Sequence, residues 1–305
     1  MSDSPLIVEN VSKTLGRTKI IDNMSFSVEP GKIYGFLGPN GSGKTTTIRM
    51  IVSLISLDEG DVKIGGFSIR TDREEALAQI GAIVENPDLY DYLSGRKNLI
   101  HFAKMTRDKV DASRIDEIVK MVELDHAIDK KVRTYSLGMK QRLGIALSML
   151  HKPKVLILDE PTNGLDPKGI RELREYLKNL AQKENVAILV SSHLLSEVEL
   201  MCDRAIVIKK GQVVNEVAIN ESDRGGEQEV TVVFELSEME RASDFLAQYG
   251  NVRIEDHRCI VESITVNQIP IIVAALVQEN IEVYHVSSKK SLEDTYHLLT
   301  GKDVK

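Results

Sequence analysis

The sequence has no tryptophan, two cysteines and only 5% aromatic residues, and its acids outnumber its lysines and arginines by 46 to 39. A general nucleic-acid binder usually shows a basic patch or an alkaline pI. The net charge of −7 and the pI near 5.6 argue against that class, so no nucleic-acid partner is expected. No apolar run approaches the ~18 residues that suggest a membrane span. The longest clear one, Ile269 to Val277, carries Pro270 inside it, so the chain is expected to be soluble or peripheral and any membrane role needs a partner. Met1-Ser2-Asp3-Ser4 lacks the basic and apolar character of a secretory leader, and Cys202 and Cys259 are too few for a disulfide framework. A cytoplasmic location with both thiols reduced is the expectation. A length of 305 residues allows one large or two modest domains, and two are expected.

What is present is more specific. Gly38-Pro39-Asn40-Gly41-Ser42-Gly43-Lys44-Thr45-Thr46 is a complete phosphate-binding loop, set between a strand-like run, Ile33-Tyr34-Gly35-Phe36-Leu37, and a helix-like run from Thr47. Its glycines let backbone N–H groups turn toward phosphate oxygens, and the following helix N-terminus adds partial positive charge. Lys44 is placed to reach the β and γ phosphates, and the Thr45 hydroxyl to ligate magnesium. The pattern arises by accident in about one chain in a hundred of this length. An ordinary glycine-rich turn is therefore a weak explanation, and binding of a nucleoside triphosphate is expected.

Residues 6–37 alternate short apolar runs with turn signals and read as strands. Between about 77 and 150 the spacing becomes helical, as at Ile115, Ile118, Val119 and Val122, which suggests a helical subdomain over about 86–150. Residues 155–158 and 187–190 are continuous apolar runs of the kind found in central parallel strands, and residues 205–214 read as a closing hairpin. Residues 220–228 have no large apolar side chain and read as a linker between a first domain, 1–219, and a second, 229–305. The order expected in the second is strand 229–236, helix 238–249, strands 251–255 and 259–264, helix 267–279, strand 281–286 and a last helix 290–300. That βαββαβ order points to a small ferredoxin-like α+β module beside an α/β domain.

Asp159 and Glu160 end the apolar run 155–158, at the sheet edge where open α/β folds place ligands. Asp159 is placed to hold magnesium through the metal's outer ligands, and Glu160 to polarise the attacking water. A pair of exposed acids ending a strand is the bland reading, which pairing with Lys44 makes the lesser one. Ser136 and Gly138 stand at the start of another helical run, where a hydroxyl and an unobstructed helix terminus suit a second anion site. In isolation a simple serine N-cap explains them better.

Together these segments resemble the ATP-binding subunit of an ABC transporter. Ser136-Leu137-Gly138-Met139-Lys140-Gln141 resembles the family's signature motif, Leu156 to Glu160 its Walker B strand, Gly164-Leu165-Asp166 its D-loop, and His193 in Ser191-Ser192-His193 its switch histidine. The resemblance covers roughly residues 5–217, with the motifs in family order. It implies a P-loop ABC-type ATPase that uses ATP and Mg²⁺ and forms a head-to-tail homodimer. Each ATP would lie between one copy's phosphate loop and the other's Ser136, Gly138 and Asp166, with His193 on the γ-phosphate. It also implies an integral membrane permease as partner and a peripheral position on the inner face of the cell membrane.

Two positions depart from the family pattern. Glu85, in Ile83-Val84-Glu85-Asn86-Pro87, stands where a glutamine is common; it can ligate magnesium but adds negative charge near an anionic site. A solvated Glu85 with Asn86 supplying the amide is the plainer alternative. Leu15 stands where an aromatic commonly stacks on adenine, so base selectivity is expected to loosen. Glu85, the signature and the C-terminal Ser291 to Tyr296 are together similar to the bacitracin and lantibiotic-resistance branch, which implies export of an antibiotic-like peptide or amphiphile. Other classes are a soluble ABC-type ATPase acting on ribosomes or DNA, which usually carries a second cassette or a long coiled coil not found here, and an ATPase gated by a small molecule bound to the second domain.

Overall fold

A computed structural model describes residues 4–219, 229–255 and 258–289. The chain falls into two compact units, 1–219 and 220–305. The first opens with β1 (Leu6–Leu15), β2 (Thr18–Val28) and β3 (Ile33–Leu37), followed by α1 (Lys44–Ile51), β4 (Glu59–Ile64), β5 (Phe67–Ser68) and α2 (Arg73–Leu77). Then come β6 (Ile80–Ile83), α3 (Gly95–Ala103), α4 (Ala112–Met121) and α5 (Leu137–Ser148). The unit closes with β7 (Val155–Asp159), α6 (Pro167–Glu184), β8 (Ala187–Ser192), α7 (Leu195–Met201), β9 (Arg204–Lys209) and β10 (Gln212–Ala218).

These strands make two sheets. One is antiparallel, ordered β2-β1-β4-β5; the other is ordered β10-β9-β3-β8-β7-β6, parallel throughout except for β10 at its edge. Every residue of β3, β7 and β8 is buried, as expected of parallel strands covered on both faces. One core joins the two sheets and α1 through Phe26, Phe36, Ile48, Met50, Ile157 and Leu189. A second core, built on Leu99, Ile118, Val119, Leu143 and Ala146, holds α3, α4 and α5 together.

The helical spacing anticipated from residue 77 onward is interrupted. Residues 80–83 form β6, paired in parallel with β7, and helices resume only at Gly95. Four residues are too few to display an alternating pattern, and their partner lies more than seventy positions away. Local sequence also sets helix ends. Asp166 caps α6 by accepting from the Gly169 N–H at 2.8 Å, Pro167 supplies its first turn, and Asn185 stops it in a left-handed conformation. Leu173, Leu177 and Leu180 form its buried stripe.

The second unit contains β11 (Glu229–Leu236), α8 (Met239–Leu246), β12 (Asn251–Glu255), β13 (Arg258–Thr265), α9 (Ile269–Gln278) and β14 (Val283–Lys289). Its antiparallel sheet runs β12-β13-β11-β14, so β13 lies between the first two strands of the unit, in the split βαβ arrangement. Phe234, Leu246, Val261 and Leu276 belong to its own core. The expected linker 220–228 and last helix 290–300 lie outside the described residues.

Candidate functional site

The loop between β3 and α1 is shaped by what its glycines exclude. A Cβ on Gly38 would lie 2.6 Å from the Ile208 carbonyl oxygen, and Gly43 holds φ of 110°, a conformation that side chains resist, where a Cβ would strike Ile21. Gly43 starts α1 with no side-chain cap, so the first N–H groups of that helix have no side-chain acceptor. The Ser42 hydroxyl beside them is buried and unpartnered. Open N–H groups, an orphaned hydroxyl and a bare backbone suit phosphate oxygens. Thr45 and Thr46 occupy the first turn of α1, half-buried, while Pro39, Asn40 and Gly41 form the outer rim of the loop.

Lys44 is buried at the base of this loop, with its ammonium donating to the Gly38 carbonyl at 2.7 Å and 4.0 Å from a Glu160 carboxylate oxygen. Burial pulls its pKa below the ordinary lysine range, against the opposing pull of Glu160 and Asp159. A phosphate anion would add a closer charge partner than Glu160 at 4.0 Å. Asp159 ends β7 buried, and its carboxylate accepts from the Ser191 hydroxyl at 2.5 Å. Glu160 follows in a left-handed conformation, φ 51°, and its second oxygen is 2.7 Å from His193 Nδ1. The structure thus brings Lys44, Asp159, Glu160 and His193 to one edge of the parallel sheet, at the carboxyl ends of β7 and β8.

Ser136, Gly138 and Asp166 lie elsewhere. They line one open groove of about 780 Å³ together with Leu137, Gly164 and Leu165. Ser136 caps α5, accepting from the Met139 N–H at 3.3 Å. A Cβ on Gly138 would meet nothing closer than Leu165 at 3.7 Å, so the chain's own packing does not require a glycine there. Among the described residues, no hydrogen bond or ion pair joins this trio to Lys44, Glu160 or His193.

Glu85 has a partner that its sequence neighbourhood does not suggest. Arg49, in the last turn of α1, donates to its carboxylate at 2.5 Å, so the extra negative charge is paired. Leu15 ends β1 about half exposed, with no ring to offer a base. No three His, Cys, Asp or Glu side chains gather as a metal cage among the described residues. Thr45, Asp159 and Glu85 are the side chains read as magnesium-holding, and phosphate and water would supply the remaining oxygens. Sequence reasoning gave no role to Ser191 and Ser192, which it quoted only beside His193, and did not single out Thr162 or Glu197. Glu197 accepts from Thr162 at 2.6 Å and from Ser192 at 2.9 Å, which ties the segment after β7 to the start of α7. Polar residues ending the otherwise apolar run of β8 were the available signal.

Residues 21–163 match the family model described as ABC transporter. The chain is 47% identical over 97% of its length to an uncharacterized ABC transporter ATP-binding protein of Bacillus subtilis, covering 96% of that protein. The chain belongs to the ABC transporter ATP-binding proteins. A second relative, the bacitracin transport ATP-binding protein of Bacillus licheniformis, is 39% identical, with 96% of each chain covered. A lantibiotic transport ATP-binding protein of Streptococcus pyogenes is 40% identical over 69% of this chain and 90% of its own. The resemblance to the bacitracin and lantibiotic branch thus rests on relatives as well as on motifs. Among solved structures, a component of a Clostridium perfringens ABC transporter complex superposes with a TM-score of 0.66 at 27% identity, covering 72% of this chain and 90% of its own. A dimeric ATP-binding cassette bound to ADP and phosphate gives 0.61 at 25% identity, covering 70% and 98%.

Proposed function

We propose that this ABC protein hydrolyses ATP as a head-to-tail homodimer and drives a separate integral membrane permease, exporting an antibiotic-like peptide or amphiphile. One observation carries the hydrolytic reading: the Glu160 carboxylate lies between the Lys44 ammonium at 4.0 Å and His193 Nδ1 at 2.7 Å, beside the uncapped start of α1. Lys44 and the loop N–H groups offset phosphate charge, and Thr45 and Asp159 offer oxygens to Mg²⁺. That ion supplies charge neutralisation on the triphosphate when bound. Glu160 takes a proton from the attacking water, and His193 fixes the orientation of the carboxylate. The split between this cluster and the Ser136–Gly138–Asp166 groove supports sharing, because one copy's groove can complete the site of another.

The permease docks on the helical block over residues 86–102. There Tyr90 packs against His101 and Phe102 with ring centroids 4.9 and 5.9 Å away, while Tyr92 and Ile100 remain exposed. Pro87, just after Glu85, packs against Gly144 of α5 so closely that a Cβ would lie 2.6 Å away. A shift at the phosphate site can pass along that contact. Crosslinks from the permease confined to 229–305 would sink this docking assignment. The cargo assignment rests on what the bacitracin and lantibiotic relatives transport, and the membrane's inner face is where such a partner would hold the chain.

Glu160→Gln tests the hydrolytic core. Losing a general base is expected to slow hydrolysis by about 10²- to 10⁴-fold. ATP binding persists, so a stable dimer is expected by size-exclusion chromatography at saturating ATP. A monomer under those conditions counts against the shared site.

A further inference from the structure

The two carboxylates at the end of β7 share a neighbour, Ser191, to which the motif reading assigned no role. β7 and β8 run parallel with Asp159 opposite Ser191. Ser191 is fully buried, and its hydroxyl donates to Asp159 Oδ1 at 2.5 Å while accepting the Glu160 backbone N–H at 2.9 Å. One hydroxyl proton and one lone pair are thereby committed to two consecutive acidic residues. Glu160 stands at φ 51°, a left-handed conformation that a non-glycine residue holds only when its surroundings fix it. The bond to Ser191 is one such restraint. His193 follows directly on the end of β8, at a bend two residues beyond Ser191. One strand end therefore holds Glu160 twice, at its backbone through Ser191 and at its carboxylate through His193.

We propose that Ser191 is a positioning residue for hydrolysis: its hydroxyl sets the orientation of Asp159 and locks the strained backbone that aims Glu160 between Lys44 and His193. The inference rests on the hydrolytic reading given above. Removing the hydroxyl leaves a buried N–H without an acceptor and a buried carboxylate oxygen without its donor, and the backbone at 160 is then free to relax. Among the described residues no hydrogen bond joins Ser191 to the phosphate loop or to Lys44, so nucleotide affinity can be read separately from the aim of Glu160.

Ser191→Ala is expected to lower kcat about tenfold or more, with KM for ATP and the equilibrium affinity for a fluorescent ATP analogue unchanged within about twofold. Ser191→Cys keeps the volume but is a poor donor, and is expected to behave like alanine even if the alanine variant folds badly. Ser191→Thr retains the hydroxyl and is expected to restore most of the rate. In a Glu160→Gln background, Ser191→Ala is expected to lose several-fold less rate than in the wild-type chain, because the part of its effect carried by Glu160 is already gone and only the bond to Asp159 remains. Two results overturn the inference: wild-type kcat in both the alanine and cysteine variants, or an equal rate loss with and without Glu160. A chain that hydrolyses no ATP, or that hydrolyses it without Glu160, overturns instead the reading on which the inference rests.

Discussion

Gly138 is a position at which the protomer's own packing and the proposed shared site make different demands. Nothing within the protomer crowds its Cβ position, and glycine in a helix is less stable than alanine by roughly 0.5–1 kcal/mol. Gly138→Ala is therefore expected to leave the melting temperature unchanged or slightly higher while weakening the ATP-dependent dimer of the Glu160→Gln chain. A variant that melts markedly lower would show that the glycine serves the protomer's own packing. Glu85 poses the converse case, because sequence gave it an unopposed charge and the structure pairs it with Arg49. Both side chains are largely exposed, so the pair is worth at most ~1 kcal/mol, about fivefold in an equilibrium. Arg49→Gln is expected to lower the Mg²⁺ concentration for half-maximal hydrolysis, since Glu85 is then unpaired, and Glu85→Gln is expected to cancel that shift. An identical shift in both backgrounds would remove Glu85 from the magnesium site. The motif residues could be nominated from sequence because phosphate chemistry fixes their spacing. The Arg49–Glu85 pair could not, since it joins positions 36 apart with no local pattern.

Elements show the same division between local and distant causes. β3, β7 and β8 could be read from sequence because burial on both faces makes them uniformly apolar, and α6 because its cap and stripe are local. β6 was absorbed into a helical block, since its identity as a strand comes from β7. His151, after α5, reports on that junction: its Nε2–H donates to the Ile80 carbonyl at 3.0 Å, on the first residue of β6. Burial pushes its pKa below the ordinary histidine value of 6.5, a shift the Ile80 bond partly opposes. As pH falls below 6.5, the unfolded chain takes up this proton before the folded one does, so stability declines with acidification. His151→Asn is expected to flatten the fall in melting temperature between about pH 6.5 and 5, with the two curves converging toward neutral pH. Parallel curves over that range would mean that His151 does not supply the slope.

At the scale of the whole chain, every residue assigned above to phosphate, metal, water activation or the signature groove lies within 1–219, the first compact unit. That unit has its own cores, and 229–289 has another built on Phe234, Val261 and Leu276. No helix among the described residues is long and apolar enough to cross a membrane. Residues 220–228 lack large apolar side chains, which is why the sequence suggests a boundary there, whereas it offers no task for the second unit, which carries no chemical motif. Its independence from the nucleotide site can be measured. A chain ending at residue 224 is expected to bind ATP within about twofold of the full-length affinity, because it retains every residue proposed to meet phosphate. If the second unit gates hydrolysis, the shortened chain will show an altered basal rate or lose its response to a small-molecule effector while keeping that affinity. A tenfold or greater loss of ATP affinity in a chain that still melts cooperatively would instead make the second unit part of the nucleotide site.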